Sequence, residues 1–331
     1  NTIHLSSNNL GGSIPSELSK LPHLEYLYLD GNNIGGTIPP QLGELRKITL
    51  LSIGGNNIMG TIPQELFDAT NLEWLILHGN SITGTLPAAI GKVASLKRLY
   101  LNDNAMQGTI PESLYRLEQL RSLRINNNTF HGSIPSLIGN LTSLQVCSFH
   151  NNELNSTIPT EIGKLTNLNE LMLQDNHFSG TIPKQIGNSK QLGFLHASNN
   201  LLSGRIPIEL GSLIDLKELS LSNNQLTSTI PDSFGQLSWL TTLELSRNSL
   251  GGNISASVGN LSALKSLKLE GNYFEGDVPQ DLCDMLEGKD GYGPFQGYHF
   301  SSDCGGDVSA GSLSCACCTR CFNEFSSNVP V

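Results

Sequence analysis

Apolar positions recur in this chain with two nested periods. Over short windows they alternate, as in Leu27 and Leu29 or Leu219 and Leu221. That spacing predicts short strands with leucines turned inward and the intervening residues outward. A longer period of 24 residues carries the whole pattern. Asparagine marks it at Asn8, Asn32, Asn56, Asn80, Asn104, Asn128, Asn152, Asn176, Asn200, Asn224, Asn248 and Asn272, with no insertion anywhere. Leu24, Leu27, Leu29, Asn32 and Ile34 show the frame L-x-x-L-x-L-x-x-N-x-L, and Leu216, Leu219, Leu221, Asn224 and Leu226 repeat it. A G-[ST]-[IL]-P segment follows in register, from Gly36-Thr37-Ile38-Pro39 to the variant Gly276-Asp277-Val278-Pro279. An apolar pair such as Leu42 and Leu45, or Leu210 and Leu213, closes each unit.

One unit can be read physically. The strand leads into a bend where Asn is expected to bond backbone groups of its own and the next coil. Proline then fixes φ and removes a donor, which forces an extended path. The closing pair, with an interior glycine at Gly43, Gly139, Gly163 or Gly211, suits one helical or 3₁₀ turn on the far side. No unit can bury its leucines alone, so neighbours must stack. Twelve units fill residues 1–288, and residues 289–331 break the period. Departures are few: Ser255 replaces the proline, Ser156 and Ser228 replace the glycine, and Cys147 and Ala197 take strand core positions.

The pattern resembles the plant-type leucine-rich repeat family, with its consensus L-x-x-L-x-L-x-x-N-x-L-x-G-x-I-P, and is similar to receptor ectodomains and polygalacturonase-inhibiting proteins. The resemblance implies an α/β solenoid, a right-handed superhelix. Its parallel β-sheet would line a concave face, with short helical or 3₁₀ turns on the convex face. It also implies a second small sheet at the G-x-I-P segment and ligand binding on the concave side. Some peptide-hormone receptors of this family carry R-x-R on one strand. Here that strand reads Ser122-Leu123-Arg124, so the feature is incomplete. Members usually carry a cysteine-paired N-terminal cap, which this chain lacks. The first unit also starts inside a repeat, so further sequence is expected before Asn1.

The tail concentrates cysteine. Cys283, Cys304, Cys315, Cys317, Cys318 and Cys321 are enough for three disulfides, with 15 pairings open. They read as a disulfide-rich C-terminal cap over the last leucine edge. A zinc site fits less well, because two separated C-x-x-C pairs are missing. The tail is also similar to those of diatom and algal repeat proteins. Cys147 sits at an inward position and reads as a buried free thiol. Sequons at Asn127, Asn140, Asn155, Asn253 and Asn260, with paired cysteines, favour the secretory route and an extracellular or membrane-exterior location.

Composition narrows the function. Net charge is −10, which disfavours nucleic acid as a partner. No apolar run is long enough to span a bilayer. Nucleophile-elbow, zincin, P-loop and kinase motifs are absent, so no enzyme activity, cofactor or metal is expected. Outward strand positions then carry the function: Tyr26, Tyr28, Trp74, Ile76, Arg98, Tyr100 and Arg124 have the Tyr, Trp and Arg composition of a binding hot spot. Lys97 and Arg121 flank them, and Leu50, Ser52 and Ser122 share the columns. Later strands present Glu170, Met172, Phe194, Glu218, Glu244, Lys268 and Glu270 as a mixed-sign face. His4, His78, His150 and His196 also face that side; by strand spacing of ~4.8 Å, His150 and His196 are too far apart to share an ion.

These features predict a non-catalytic extracellular recognition module. Its partner would be a protein, peptide or polysaccharide, with assembly into a larger complex or with a co-receptor. A secreted inhibitor of a cell-wall glycanase is one alternative, and a structural wall or matrix protein another. Ice binding is a third, suggested by the hydroxyl column Ser13, Thr37, Thr61, Thr85, Thr109, Ser133, Thr157 and Thr181.

Overall fold

The computed structural model describes residues 1–282, together with the backbone of 299–301 and 313–314. The six tail cysteines from Cys283 onward lie outside the described residues. Two compact units divide the chain, Asn1–Asn176 and His177–Val331.

In the first unit every L-x-L segment is a three-residue strand. Thr2–His4, Tyr26–Tyr28, Leu50–Ser52, Trp74–Ile76, Arg98–Tyr100, Ser122–Arg124, Val146–Ser148 and Glu170–Met172 pair side by side, all parallel. Each pairing is offset by one repeat, as in Leu75 opposite Leu99 and Leu123 opposite Cys147. The central residue of each strand therefore stacks into a dry column: Leu27, Leu75, Leu99, Leu123, Cys147 and Leu171 are fully buried. Burying a leucine side chain contributes about 1.5–3 kcal/mol, and a single coil has no second surface to bury it against.

The same segment after the bend forms a second sheet. Its members in this unit are Met59–Gly60, Ser81–Gly84, Ala105–Thr109, Thr129–Gly132 and Glu153–Thr157. Its glycines hold positive φ, as at Gly60 (+77°) and Gly84 (+75°). A Cβ on Gly84 would lie 2.7 Å from Cγ2 of Thr61 in the preceding coil. Threonine thus roofs the next coil's glycine. Where the glycine is replaced, at Ser156 and Ser228, φ remains positive at +72° and +75°. The preceding residues there are Ser133 and Arg205, which bring no branched methyl to that spot.

Proline precedes each 3₁₀ turn in extended conformation, for example Pro39 at φ −64° before Pro40–Glu44. The turns are 3₁₀ throughout this unit, and close approach explains their glycine: a Cβ on Gly43 would fall 1.9 Å from the Glu65 carbonyl oxygen.

The second unit repeats the arrangement by itself. Phe194–His196, Glu218–Ser220, Thr242–Glu244 and Ser266–Lys268 pair in parallel. The backbone of His299–Ser301 adds a further parallel strand beside Ser266–Lys268. Its second sheet runs from His177–Thr181 to Tyr273–Asp277. Ser255, in place of proline, holds φ −63° and caps its turn, its Oγ accepting from the Ser257 N–H at 3.2 Å.

The asparagines correct one expectation. Asn152 accepts the Phe130 N–H at 2.9 Å through Oδ1, and Nδ2 donates to the Ile125 carbonyl at 3.1 Å. Both partners lie in the preceding coil, not the next. Its remaining bonds, to the Phe149 and His150 carbonyls, close its own bend.

Candidate functional site

The outward positions of the first unit's long sheet are set by strand alternation and by register. Trp74 stands opposite Arg98, and Arg98 opposite Ser122; in the neighbouring column Ile76, Tyr100 and Arg124 follow one another. The Arg98 guanidinium carbon lies 4.3 Å from the Trp74 ring centroid. That of Arg124 lies 5.1 Å from the Tyr100 ring. Two cation–π pairs therefore sit side by side on three adjacent strands, each within the range of favourable attraction. Stacking fixes the long arginine side chains, so a ligand that meets them costs less ordering entropy. Lys97 pairs with Glu73 at 2.7 Å beside the patch. Toward Asn1, Tyr26 is exposed, and the Tyr28 ring tilts against His4 with centroids 4.8 Å apart.

Not every candidate residue reaches solvent. Ile76 is buried at 9% exposure, between Ser52 and Tyr100 in the register, and offers a ligand little surface. Leu50, Ser52 and Ser122 are buried as well. Short side chains flanked by Trp, Tyr and Arg are shaded by those neighbours, which strand alternation alone does not reveal.

Sequence reasoning also missed Asp30. Its carboxylate accepts from the Ser52 hydroxyl, from the Gly54 N–H at 3.0 Å and from Ser6 at 3.2 Å, tying three coils together at the edge of the face. Beside it the His78 ring occupies the space left by Gly54, where a Cβ would meet the ring at 2.5 Å. The signal was present as an Asp30-Gly54-His78 column at 24-residue spacing.

The second unit's face is ionic rather than aromatic. His196 Nε2 lies 3.1 Å from Glu218, and Glu244 is 2.6 Å from Lys268 while accepting from Ser220 at 2.9 Å. Burial opposes the charge on Glu244, yet the Lys268 and Ser220 hydrogen bonds, with the charges of Lys268 and His196, hold it below the ordinary carboxylate range. Lys217 lies 6.0 Å from the Phe194 ring.

The sequons fall on different surfaces. Asn140 and Asn260 end the 3₁₀ turns Ser136–Asn140 and Ala256–Asn260 and are exposed; Asn155 and Asn253 are exposed on second-sheet strands. Asn127 is half-buried, and its amide is engaged: Nδ2 donates to Asp103 and Oδ1 accepts from Asn151 at 2.7 Å. Cys147 is a free, buried thiol. Among the described residues no helix is long and apolar enough to cross a membrane, and no cluster of His, Cys, Asp or Glu could hold a metal ion.

Stacked coils with a patterned open sheet face define a repeat-built binding scaffold. The family comparison agrees: residues 3–126 and 64–189 match the family described as leucine-rich repeat region, and 214–274 match leucine rich repeat. The chain belongs to the leucine-rich repeat family. No curated protein sequence matches it.

Solved structures resemble it along most of its length. One is the ectodomain of the Arabidopsis receptor kinase HAESA with an N-terminally extended IDA peptide hormone ligand (33% identity, TM-score 0.83, covering 95% of this chain and 50% of that one). A second is the plant peptide hormone receptor RGFR1 with RGF2 (34% identity, TM-score 0.76, covering 84% and 48%). A third is HAESA with IDA and the co-receptor SERK1 (30% identity, TM-score 0.76, covering 91% and 54%). The chain thus spans about half the length of these relatives.

Proposed function

We propose that this chain is a non-catalytic, extracellular recognition module of receptor type that holds an extended peptide bearing an acidic group. The observation that carries the reading is the pair of stacked guanidiniums, Arg98 on Trp74 and Arg124 on Tyr100. The two strand columns on which they stand, from Tyr26 to Arg124, hold no carboxylate of their own although the chain is net acidic. At their edge Asp30 is bonded to Ser52, Gly54 and Ser6, and Glu73 is paired with Lys97. A planar guanidinium already stacked on a ring still presents donors that match a carboxylate bidentately. The similar receptor ectodomains bound to peptide hormones support a peptide as ligand, and the complex with SERK1 supports a co-receptor as a second partner. Sequons and the cysteine-rich tail support an oxidising, extracellular setting.

Binding of a synthetic library of extended peptides, matched with and without acidic residues, tests this. Acidic members should bind preferentially. Trp74→Ala combined with Tyr100→Ala should weaken them at least about tenfold, the loss of a hot-spot contact, with an unchanged thermal melt. Preference for basic peptides, or binding that survives this double change, would defeat the reading.

A further inference from the structure

We propose that the second sheet of the first unit carries a separate ligand site, a shallow trough that takes a neutral β-linked oligosaccharide. The trough encloses about 440 Å³ and is lined by Thr85, Gln107, Gly108, Thr129, His131 and Glu153. Three adjacent strands build it, with Thr129 opposite Gln107 and His131 opposite both Thr109 and Glu153. Its floor is held to glycine. Gly108 has φ +84°, and a Cβ there would lie 2.7 Å from Cγ2 of Thr85.

The polar ends around this floor are available. Among the described residues the side chains of Thr85, Gln107, His131 and Glu153 make no hydrogen bond to the protein, and all four are exposed. Thr129 Oγ1 donates to the Met106 carbonyl at 2.9 Å and keeps its lone pairs for a donor. The set is rich in donors and acceptors and nearly free of charge. Glu153 is the single formally charged residue among the outward positions of the strands from Met59–Gly60 to Glu153–Thr157. Such a surface has no field to attract a polyanion or a polycation, and it contrasts with the basic, aromatic face of the first sheet. A carboxylate flanked by an amide and an imidazole suits adjacent hydroxyls of a sugar ring, since hydrogen bonds to a charged acceptor are the stronger ones.

The repeat supplies length as well. Thr37, Thr61, Thr85, Thr109, Ser133 and Thr157 recur at the same place in successive coils and are exposed, while the strand register sets Thr109, His131 and Glu153 directly opposite one another. Adjacent strands lie ~4.8 Å apart, close to the length of one pyranose in an extended β-linked chain. Successive rings can then meet Thr109, His131 and Glu153 in turn, and weak contacts add along one ligand.

Cellohexaose, laminarihexaose and chitohexaose are the probes, read by the methyl resonances of threonine-labelled protein. All forms carry Asn155→Gln, because Asn155 lies two residues beyond Glu153 on the same strand and a glycan there would cover the trough. At least one probe should shift the methyls of Thr85, Thr109 and Thr129 with roughly millimolar affinity. Glu153→Ala or Gln107→Ala should weaken it about fivefold, the worth of one hydrogen bond, while Trp74→Ala leaves it unchanged. A response lost in Trp74→Ala would place the sugar on the first sheet and overturn the trough without touching the trough-independent peptide reading. Silence from all three probes at roughly 10 mM would overturn it, as would shifts indifferent to both trough variants. Thermal hysteresis abolished by Thr85→Tyr with Thr109→Tyr, without any sugar response, would assign the column to ice instead.

Discussion

Each repeat asparagine replaces backbone partners that a buried bend would otherwise lack. Asn152 makes four such bonds, to Phe130, Ile125, Phe149 and His150. Asn152→Ala leaves the buried Phe130 N–H unpaired and takes one partner from the Ile125, Phe149 and His150 carbonyls, each of which keeps another. A loss of about 1–3 kcal/mol is expected by urea unfolding. Asn8, exposed and bonded only to carbonyls of its own coil, should cost much less on the same change. Cys147 gives a pH signature. Burial pushes the pKa of its thiol, and that of the Tyr115 phenolic hydroxyl, above their ordinary ranges. The unfolded chain releases the thiol proton near pH ~8.5 while the folded chain keeps it. Stability should therefore fall as pH rises past that value, by up to about 1.4 kcal/mol per pH unit. Cys147→Ala should flatten this slope, and alkylation of folded protein at pH 8 should be negligible beside that of unfolded protein. These residues were recognisable from the period alone. The direction in which Asn bonds was not, because a repeat reads the same toward either neighbour.

At the scale of the element, the coil tolerates exchange where geometry is kept. Ser255 shows this: it takes the φ of the missing proline and recovers a cap through its hydroxyl. Ser255→Pro should leave stability within about 1 kcal/mol, since the φ already suits proline. It should also remove any glycan from Asn253, seen as a mass shift of the corresponding peptide. Gly84→Ala should do the opposite. Positive φ and the Thr61 methyl both resist a Cβ there, and a cost of about 1–3 kcal/mol follows. The strand and 3₁₀ elements were legible because the leucine frame and G-x-I-P differ in period. Exposure within the strand was less so: Trp74 and Ile76 share a face, yet the large neighbours bury the isoleucine.

At the scale of the whole molecule, stability is expected to add coil by coil, since each contacts its neighbours alone. Removing residues 201–224 takes out one full period and rejoins every leucine and asparagine column. That deletion should keep a cooperative melt with a modestly lower midpoint. Removing residues 201–212 breaks the register and should leave the second unit without one. Calorimetry distinguishes the two outcomes.

The sequence alone determined the coil: its 24-residue period, its inward leucines, its L-x-L strand signal and the surface on which variable residues stand; the second sheet came only as an implication of the family resemblance. These are local or periodic properties, and twelve repetitions make them unmistakable. Only the tertiary structure decided which outward residues touch. That the arginines lie over Trp74 and Tyr100, that Ile76 is shaded, and that Gln107, His131 and Glu153 surround a glycine floor all depend on side chains 24 residues apart meeting across coils. Contacts of that kind depend on the size and rotamer of both partners, which no pattern of apolar and polar positions encodes.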